Sequence, residues 1–428
     1  MKVLLVGSGS RECALAWKIS QSKLLDQLFV WPGNAMSLKY GSQTGLSSKA
    51  GHLEVLNWAK ETGVKAVICG PEQPLTEGFS NLFEEYGIPV FGPRKEAAEL
   101  EGSKAFSKEV MKAAGIPTAE YYKVTSKEEC EKVALDMLKR TGGTVLKASG
   151  LAGGKGVFVC TSEDLIAEGL TRLFGQMKGA SETVVVEEVL KGRECSFFTF
   201  LGDNGDSPLG FAVDFKRLND GDMGPNTGGM GCYTPVEWLP ENAQETVNEK
   251  IVWPLLKELR NRDIEYRGCL YVGIMWGENG PSVVEFNVRL GDPECQVLSV
   301  ADQRDWLQLI LEKLGVRSEE KLTGPWHKSV CVVMASKTYP YGEGEEEYSV
   351  LSNDVLNSEV CSVFGASVSE EDGQIKTGKG RVLSVVSSGN SFSEARKNVY
   401  SQVEKIKTAW PSAQVRTDIA KLISDEEK

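Results

Sequence analysis

Two stretches of the chain set polar side chains at spacings that can do chemistry. The first is "CLYVGIMWGENGPSVVEFNVRLGDPECQ", residues 269–296, where the turn "GENG" between two apolar runs predicts a β-hairpin. On its second strand Glu285, Asn287 and Arg289 stand at i, i+2 and i+4 and share one face, while Phe286 and Val288 take the other. A carboxylate and an amide oxygen two residues apart suit a hard cation. An arginine one step along suits the phosphate that such a cation carries. A polar solvent face on an antiparallel strand would give the same alternation.

The second stretch is "TVLKASGLAGGKGVFVC", residues 144–160. It is not a Walker A loop: Ser149 holds the first glycine's place, Gly156 stands where Ser or Thr is required, and VFVC downstream is strand-like. The spacing predicts a hairpin whose tip, with Gly153, Gly154, Lys155 and Gly156, offers backbone N–H groups and a cation to a polyphosphate. Lys147 on the incoming strand adds a second cation, and Lys104 stands upstream. An ordinary glycine-rich hairpin is the alternative. Just beyond, the valines of "TVVVEEVLKGRE" stop at Glu187 and Glu188, and Glu194 follows. Such carboxylates are commonly solvated surface; beside an adenine, the strand end would read the base and a carboxylate would take the ribose hydroxyls.

The N-terminal "LLVGSGSRECALAW" has the strand, turn and helix order of a dinucleotide fold, but Glu12 replaces the third glycine of G-x-G-x-x-G. What remains is a helix N-terminus without bulk, a general seat for a phosphate or carboxylate, or a plain structural turn. Residues 1–100 alternate apolar runs (LLVG, LFVW, AVICG, PVFG) with helical stretches, which predicts a parallel sheet. Ligands in such sheets lie at strand carboxyl ends, so Asn34 and Glu72 join Gly9, Ser10 and Glu12 as candidates for one pocket. A helix over "EGSKAFSKEVMKAAG" follows, stopped by Gly115. The division expected is 101–190, including a small lid at about 118–190, then 191–323, and a mixed α/β unit over 324–428 that opens on "SVCVVMAS".

The whole chain, 428 residues with 41% hydrophobic and 25% charged, reads as globular α/β. A net charge of −12 argues against nucleic acid as partner. No apolar run nears the ~18 residues of a membrane span, so a soluble protein is expected. Ten scattered cysteines without a C-x-x-C pair point to a reducing cytoplasm. Only His52 and His327 are present, which leaves carboxylates, lysines and arginines to do the chemistry.

Taken together, Lys104, Lys147, the glycine-lysine hairpin, the Glu187–Glu188 strand end and the Glu285/Asn287 pair resemble the ATP-grasp ligases. "GSGSREC", "GPRKEAAELEGSKAFSKEVMKAAGIPTA", "GPNTGGMGCYTP" and "EFNVRLGDPE" are more closely similar to the phosphoribosylamine–glycine ligase (glycinamide ribonucleotide synthetase) family, and the likeness covers nearly the whole chain. The resemblance implies an ATP-grasp fold and ligation of glycine to 5-phosphoribosylamine with ATP, in purine synthesis, by a cytoplasmic monomer. It also implies roles. Lys104, Lys147 and the hairpin would hold phosphates, Glu187 and Glu188 with Leu190 would meet adenine, and Glu194 the ribose. Glu285 and Asn287 would hold Mg²⁺ or Mn²⁺, and Arg289 would steady the transferring phosphoryl group. Asp214 would accept an ammonium beside Lys216 and Arg217, and Arg381 would meet substrate. The "GSGS" turn, Glu12, Asn34 and Glu72 would cradle phosphoribosylamine. This chain departs from the family's pattern at Ser10, Cys13, Ser149, Phe215, Gly365 and in "TGKGR" (377–381), mostly where the amine should bind. A ligase with a changed amine acceptor and a silent nucleotide-binding scaffold are the alternatives.

Overall fold

The structure, a computed structural model, describes residues 1–151, 156–177, 179–202, 204–316 and 324–427. Strands β1 (Lys2–Gly7), β2 (Gln27–Pro32), β3 (Ser42–Gln43), β4 (Ala66–Cys69) and β5 (Val90–Phe91) form a parallel sheet ordered β3-β2-β1-β4-β5. The apolar runs of β1 and β4 are buried throughout because helices cover both faces, as a parallel sheet requires. The strand order reverses between β1 and β4, so a crevice opens at their carboxyl ends, beside Gly7 and Gly70.

Strands β6 (Tyr121–Val124), β7 (Thr144–Ala148), β8 (Val157–Cys160) and β9 (Val184–Glu188) make a separate antiparallel sheet ordered β6-β9-β7-β8. Two helices, Lys127–Thr141 and Glu163–Gln176, back it, and Met137, Leu146, Leu170, Leu173 and Val186 give it a core of its own. As the spacing predicts, β7 and β8 form a hairpin with Lys147 opposite Val157.

The rest of the chain builds one large antiparallel sheet. Its strands are β10 (Arg193–Gly202), β11 (Gly205–Asp214), then, after a two-stranded ribbon of β12 (Arg217–Asn219) and β13 (Met223–Asn226), β14 (Gly231–Thr234), β15 (Gly268–Gly277), β16 (Gly280–Asn287) and β17 (Lys328–Ala335). The C-terminal unit adds a small sheet of β18 (Val350–Leu351), β20 (Val368–Glu371) and β21 (Gln374–Thr377), while β19 (Ser362–Gly365) and β22 (Arg381–Gly389) complete the large one. The order is β16-β15-β10-β11-β14-β17-β22-β19, so the sheet crosses from the central to the C-terminal part without a break. "GENG" closes the β15/β16 hairpin with Gly277 opposite Gly280, as expected from its sequence.

One element differs from expectation. The single helix foreseen over 101–115 is two, Lys95–Gly102 and Lys104–Ala114, broken at an extended Ser103. The cause is local: Ser103 Oγ accepts the Phe106 N–H (3.2 Å) and starts a new helix, which Gly115 ends at φ 66°.

Candidate active site

Lysines from three elements act electrostatically on Glu285. Lys104 opens the second of the paired helices, Lys147 lies on β7, and Lys216 follows β11. Burial raises the affinity of Glu285 for its proton, but Lys216, Lys104 and Lys147 outweigh it and hold the carboxyl below its ordinary range. Space for the side chain comes from Gly273 across the hairpin, where a Cβ would stand 3.3 Å from Glu285 Cγ. The register slips between Gly273 and Ile274, and this bulge beside Glu285 accompanies the Lys147 Nζ bond to the Val284 carbonyl (3.2 Å). Asn287 Nδ2 donates to Glu285 Oε1 (3.3 Å), and Arg289 continues the row with NH2 on Asn287 Oδ1 (3.4 Å). The three residues expected to share a face do so.

Behind this row lies a buried group that the sequence did not disclose. Glu187 points inward and bridges two lysines, Lys147 Nζ at 2.8 Å and Lys108 Nζ at 3.2 Å. Its side chain is thereby committed to the lysines. Lys108 also donates to Thr118 Oγ1 (2.7 Å); burial drives its pKa down to about 8 despite Glu187, with Lys147 adding to the effect. Its i+4 spacing from Lys104 was the available signal. Glu188 Oε1 instead accepts the Glu120 N–H (2.9 Å) at the lid's edge, and Leu190 sits partly exposed in the turn that follows. Gly156 closes the base of the glycine hairpin, its carbonyl accepting the Ala148 N–H (2.9 Å). Gly153, Gly154 and Lys155 lie outside the described residues.

A second cluster sits where β11 ends. The Asp214 Oδ1 atom is buried without a hydrogen-bond partner, and burial together with Glu294 pushes the carboxyl well above its ordinary range. Glu294 is itself buried and raised, chiefly by burial. Lys216 pairs with Glu194; burial opposes its charge, but Glu194 and Asp214 prevail and raise its pKa. Arg217 is a correction: its guanidinium turns along its own ribbon to the Gly224 carbonyl (2.8 Å) and does not join Asp214. Arg381 grips the Gly228 carbonyl (2.6 Å) and Asp292 Oδ1 (3.2 Å) from β22. Glu294 and Asp292, both in "GDPE", were missed because a single turn gives no periodicity to read.

The third cluster fills the N-terminal crevice. A Cβ at Gly7 or Gly70 would stand 2.3 or 2.2 Å from Glu12 atoms, so these glycines exist to admit that carboxylate. Glu12 accepts the Gly9 N–H (2.7 Å) and the Arg11 Nε (2.6 Å), and Asp292 Oδ2 accepts the Arg11 N–H (3.2 Å). The protein's own carboxylate thus caps the turn at Gly9. Ser10 and Asn34 likewise have partners within the protein. Ser10 Oγ binds the Phe364 carbonyl (3.2 Å) and Ser384 Oγ (3.0 Å); Asn34 Nδ2 binds the Ser8 and Gly365 carbonyls (2.8 and 2.9 Å), and its Oδ1 accepts two backbone N–H groups. Both fix the turn against the C-terminal unit. Glu72 meets Arg289 Nε at 3.0 Å and the buried Glu101 meets Arg289 NH2 at 2.8 Å, so one guanidinium ties the crevice to the Glu285 row.

A four-stranded antiparallel sheet and a large antiparallel sheet whose lysines act on one carboxylate–amide pair mark the ATP-grasp class. Residues 1–101 match the N domain, 102–295 the ATP-grasp (A) domain and 329–422 the C domain of phosphoribosylglycinamide synthetase. The chain belongs to that family. Curated relatives named phosphoribosylamine–glycine ligase include those of Rhodopirellula baltica (38% identical, covering 98% of this chain and 97% of the relative) and Salmonella typhimurium (38%, 98% of each). The solved phosphoribosylamine–glycine ligase of Thermotoga maritima is 32% identical with a TM-score of 0.82, covering 98% of this chain and all of that one. A biotin carboxylase domain from Hydrogenobacter thermophilus, solved with MgADP, shares the fold at 18% identity (TM-score 0.71, 97% of this chain and 90% of that one).

Proposed function

We infer that the chain ligates glycine to 5-phosphoribosylamine at the expense of ATP, giving glycinamide ribonucleotide, ADP and phosphate in purine synthesis. The observation that carries this reading is the row Glu285, Asn287 and Arg289 with the charges of Lys104, Lys147 and Lys216 acting on Glu285, and the unpartnered Asp214 carboxylate. A carboxylate is a poor acyl donor, so the glycine carboxylate first takes the γ-phosphoryl group, releasing ADP. The amine of phosphoribosylamine then adds to the carbonyl of glycyl phosphate and phosphate leaves. Such a reaction needs charge neutralisation and alignment more than a protein nucleophile. His52 accordingly serves elsewhere, pairing with Glu77 (3.5 Å), and the backbone N–H of His327 bonds the Ala301 carbonyl (3.1 Å).

In this scheme Lys104, Lys147 and the glycine hairpin receive the phosphates, Glu188 and Leu190 border the adenine, and Glu194 exchanges Lys216 for the ribose. Asp214 binds the glycine ammonium, with Glu294 beside it and Lys216 and Arg381 balancing the charge. Arg289 orients the phosphoryl group, and the crevice at Gly9, Glu12 and Glu72 seats phosphoribosylamine. The oxygens of Glu285 and Asn287 are hard donors that fit Mg²⁺. Among the described residues no set of three or more His, Cys, Asp or Glu could hold a metal alone, so the remaining ligands would come from triphosphate and water. Bound there, the cation would neutralise phosphate charge. A four-part division at 1–100, 101–190, 191–323 and 324–428 and a cytoplasmic monomer complete the reading. No helix among the described residues is long and apolar enough to cross a membrane, and all ten cysteines are free thiols.

The test is ADP release with glycine, run with and without phosphoribosylamine and with alternative amines. Release that requires both glycine and phosphoribosylamine is expected. Release supported only by another amine would replace this acceptor, and no release with any amine would leave a nucleotide-binding scaffold.

A further inference from the structure

Between β11 and β14 the chain leaves the large sheet at Phe215 and returns at Met230, closed at its base by the Thr227 N–H on the Lys216 carbonyl (2.7 Å). Asp214 and Lys216 sit at one foot of this excursion. At the other foot Gly229 lies so close that a Cβ there would stand 2.6 Å from Asp214 Oδ1. The shape of the excursion therefore sets the shape of the site around Asp214.

The C-terminal unit holds both limbs. Arg381 and Tyr339 take the returning limb, through the Gly228 carbonyl (2.6 Å) and the Gly228 N–H (2.9 Å). The outgoing limb is held by Arg416, whose side chain is only 1% exposed. Its guanidinium binds Asp418 twice (2.8 and 2.7 Å), Asp222 Oδ1 (2.8 Å) and the Arg217 carbonyl (3.2 Å), and its Cζ lies 4.9 Å from the Phe215 ring centroid. Neighbouring bonds reinforce the grip: Asp418 Oδ2 accepts the Gly221 N–H (2.8 Å) and Asp220 Oδ1 accepts the Thr417 N–H (2.7 Å). The backbone shows what the grip achieves. Gly221 and Asp222 are both held at positive φ (68° and 55°), and for Asp222 that is a conformation L side chains rarely adopt without support.

We propose that Arg416 is a positioning residue for the ligation: from the C-terminal unit it fixes the excursion Phe215–Met230, and through it Asp214 and Lys216, in the geometry that receives glycine. Of the residues it positions, only Lys216 also faces the nucleotide half, through Glu194 and Glu285, so its loss weighs on glycine more than on ATP. The uncharged ring of Phe215, where the related pattern has histidine, gives the guanidinium a face to rest on.

The inference rests on the functional reading above, and the test keeps the two apart. Asp222→Ala removes a carboxylate that is 71% exposed and leaves the core untouched, whereas Arg416→Lys keeps a charge but loses the fork. In both variants amide hydrogen exchange should speed up by about tenfold within residues 215–230 and not in the lid. The KM for glycine should rise about tenfold, with the KM for ATP changed less than about twofold and Arg416→Lys the milder if one hydrogen bond is recovered. Unchanged exchange in 215–230, or equal rises in the two KM values, overturns the proposal. Should Arg416→Lys not fold, Asp222→Ala decides alone. Should the wild-type protein release no ADP with glycine, the functional reading fails and the exchange comparison still decides whether Arg416 holds the excursion.

Discussion

A buried lysine whose pKa is driven down to about 8 gives the nucleotide half a pH signature. Lys108 shares Glu187 with Lys147, and its depressed pKa of about 8 means that Glu187 keeps only one cationic partner above that pH. The groups facing it are Glu187, Lys147, Thr118 and the Tyr121 ring, with Glu188 contributing at longer range. The KM for ATP is expected to rise as pH passes 8 in the wild type, and Lys108→Met should show a flat profile with KM raised about tenfold throughout, the loss of one charge-assisted bond. The sign for stability is separate. Folding lowers the lysine's pKa, so the penalty for burying its charge is complete below pH 8 and is relieved as pH rises from 8 toward the ordinary 10.5. Urea titrations of wild type against Lys108→Met across that window measure it. For the opposite face, Glu285→Gln and Asn287→Ala should each cut turnover by about 10²–10³ with the fold retained, since each removes a hard oxygen where phosphate charge must be neutralised. Wild-type rates at limiting Mg²⁺ in both variants would remove the metal assignment.

At the scale of elements, the helix Lys104–Ala114 owes its start to the lid. Its first three N–H groups are met by the Ser149 carbonyl (2.9 Å), Ser149 Oγ (3.1 Å) and Ser103 Oγ (3.2 Å), so a residue at the base of the glycine hairpin caps the helix that carries two phosphate-side lysines. Ser149, one of the departures from the family's pattern, thus supplies both its carbonyl and its hydroxyl oxygen to the helix start. Ser149→Ala should cost about 1 kcal/mol of stability, measured by chemical denaturation, and raise the KM for ATP. Ser149→Asp should retain both within error. These are features of contact between distant segments, and they mark where sequence stops being informative. The β15/β16 hairpin, the β7/β8 hairpin and the shared face of Glu285, Asn287 and Arg289 follow from turn residues and a two-residue period, which are local. The inward turn of Glu187, the diversion of Arg217 and the commitment of Gly9, Ser10 and Asn34 to internal bonds depend on partners up to 374 residues away in the chain. No spacing rule reaches them. Ser103 belongs between these cases: its capping role was written in S-K-A-F, but the helical pattern on either side obscured the break.

For the molecule as a whole, the departures at Cys13 and Gly365 read as one repacked seam between the first and last units. Burial pushes the Cys13 thiol up to about 12, and a Cβ at Gly365 would meet Met36 Sδ and Val368 Cγ2, each at 2.7 Å. Met36 fills the room a larger residue at 365 would need. Gly365→His alone should therefore destabilise by about 1–3 kcal/mol from overpacking, and Met36→Ala added to it should recover part of the loss; simple additivity in that cycle would dismiss the seam as the cause. The unbroken large sheet has its own consequence for the chain's integrity. β14 is flanked by β11 and β17, so β17 is what keeps one edge of β14 from water. A polypeptide that stops short of β17, whether by proteolysis or an early stop codon, would present a bare row of amides and carbonyls to the next such molecule. Its fate would be self-association, not a smaller enzyme.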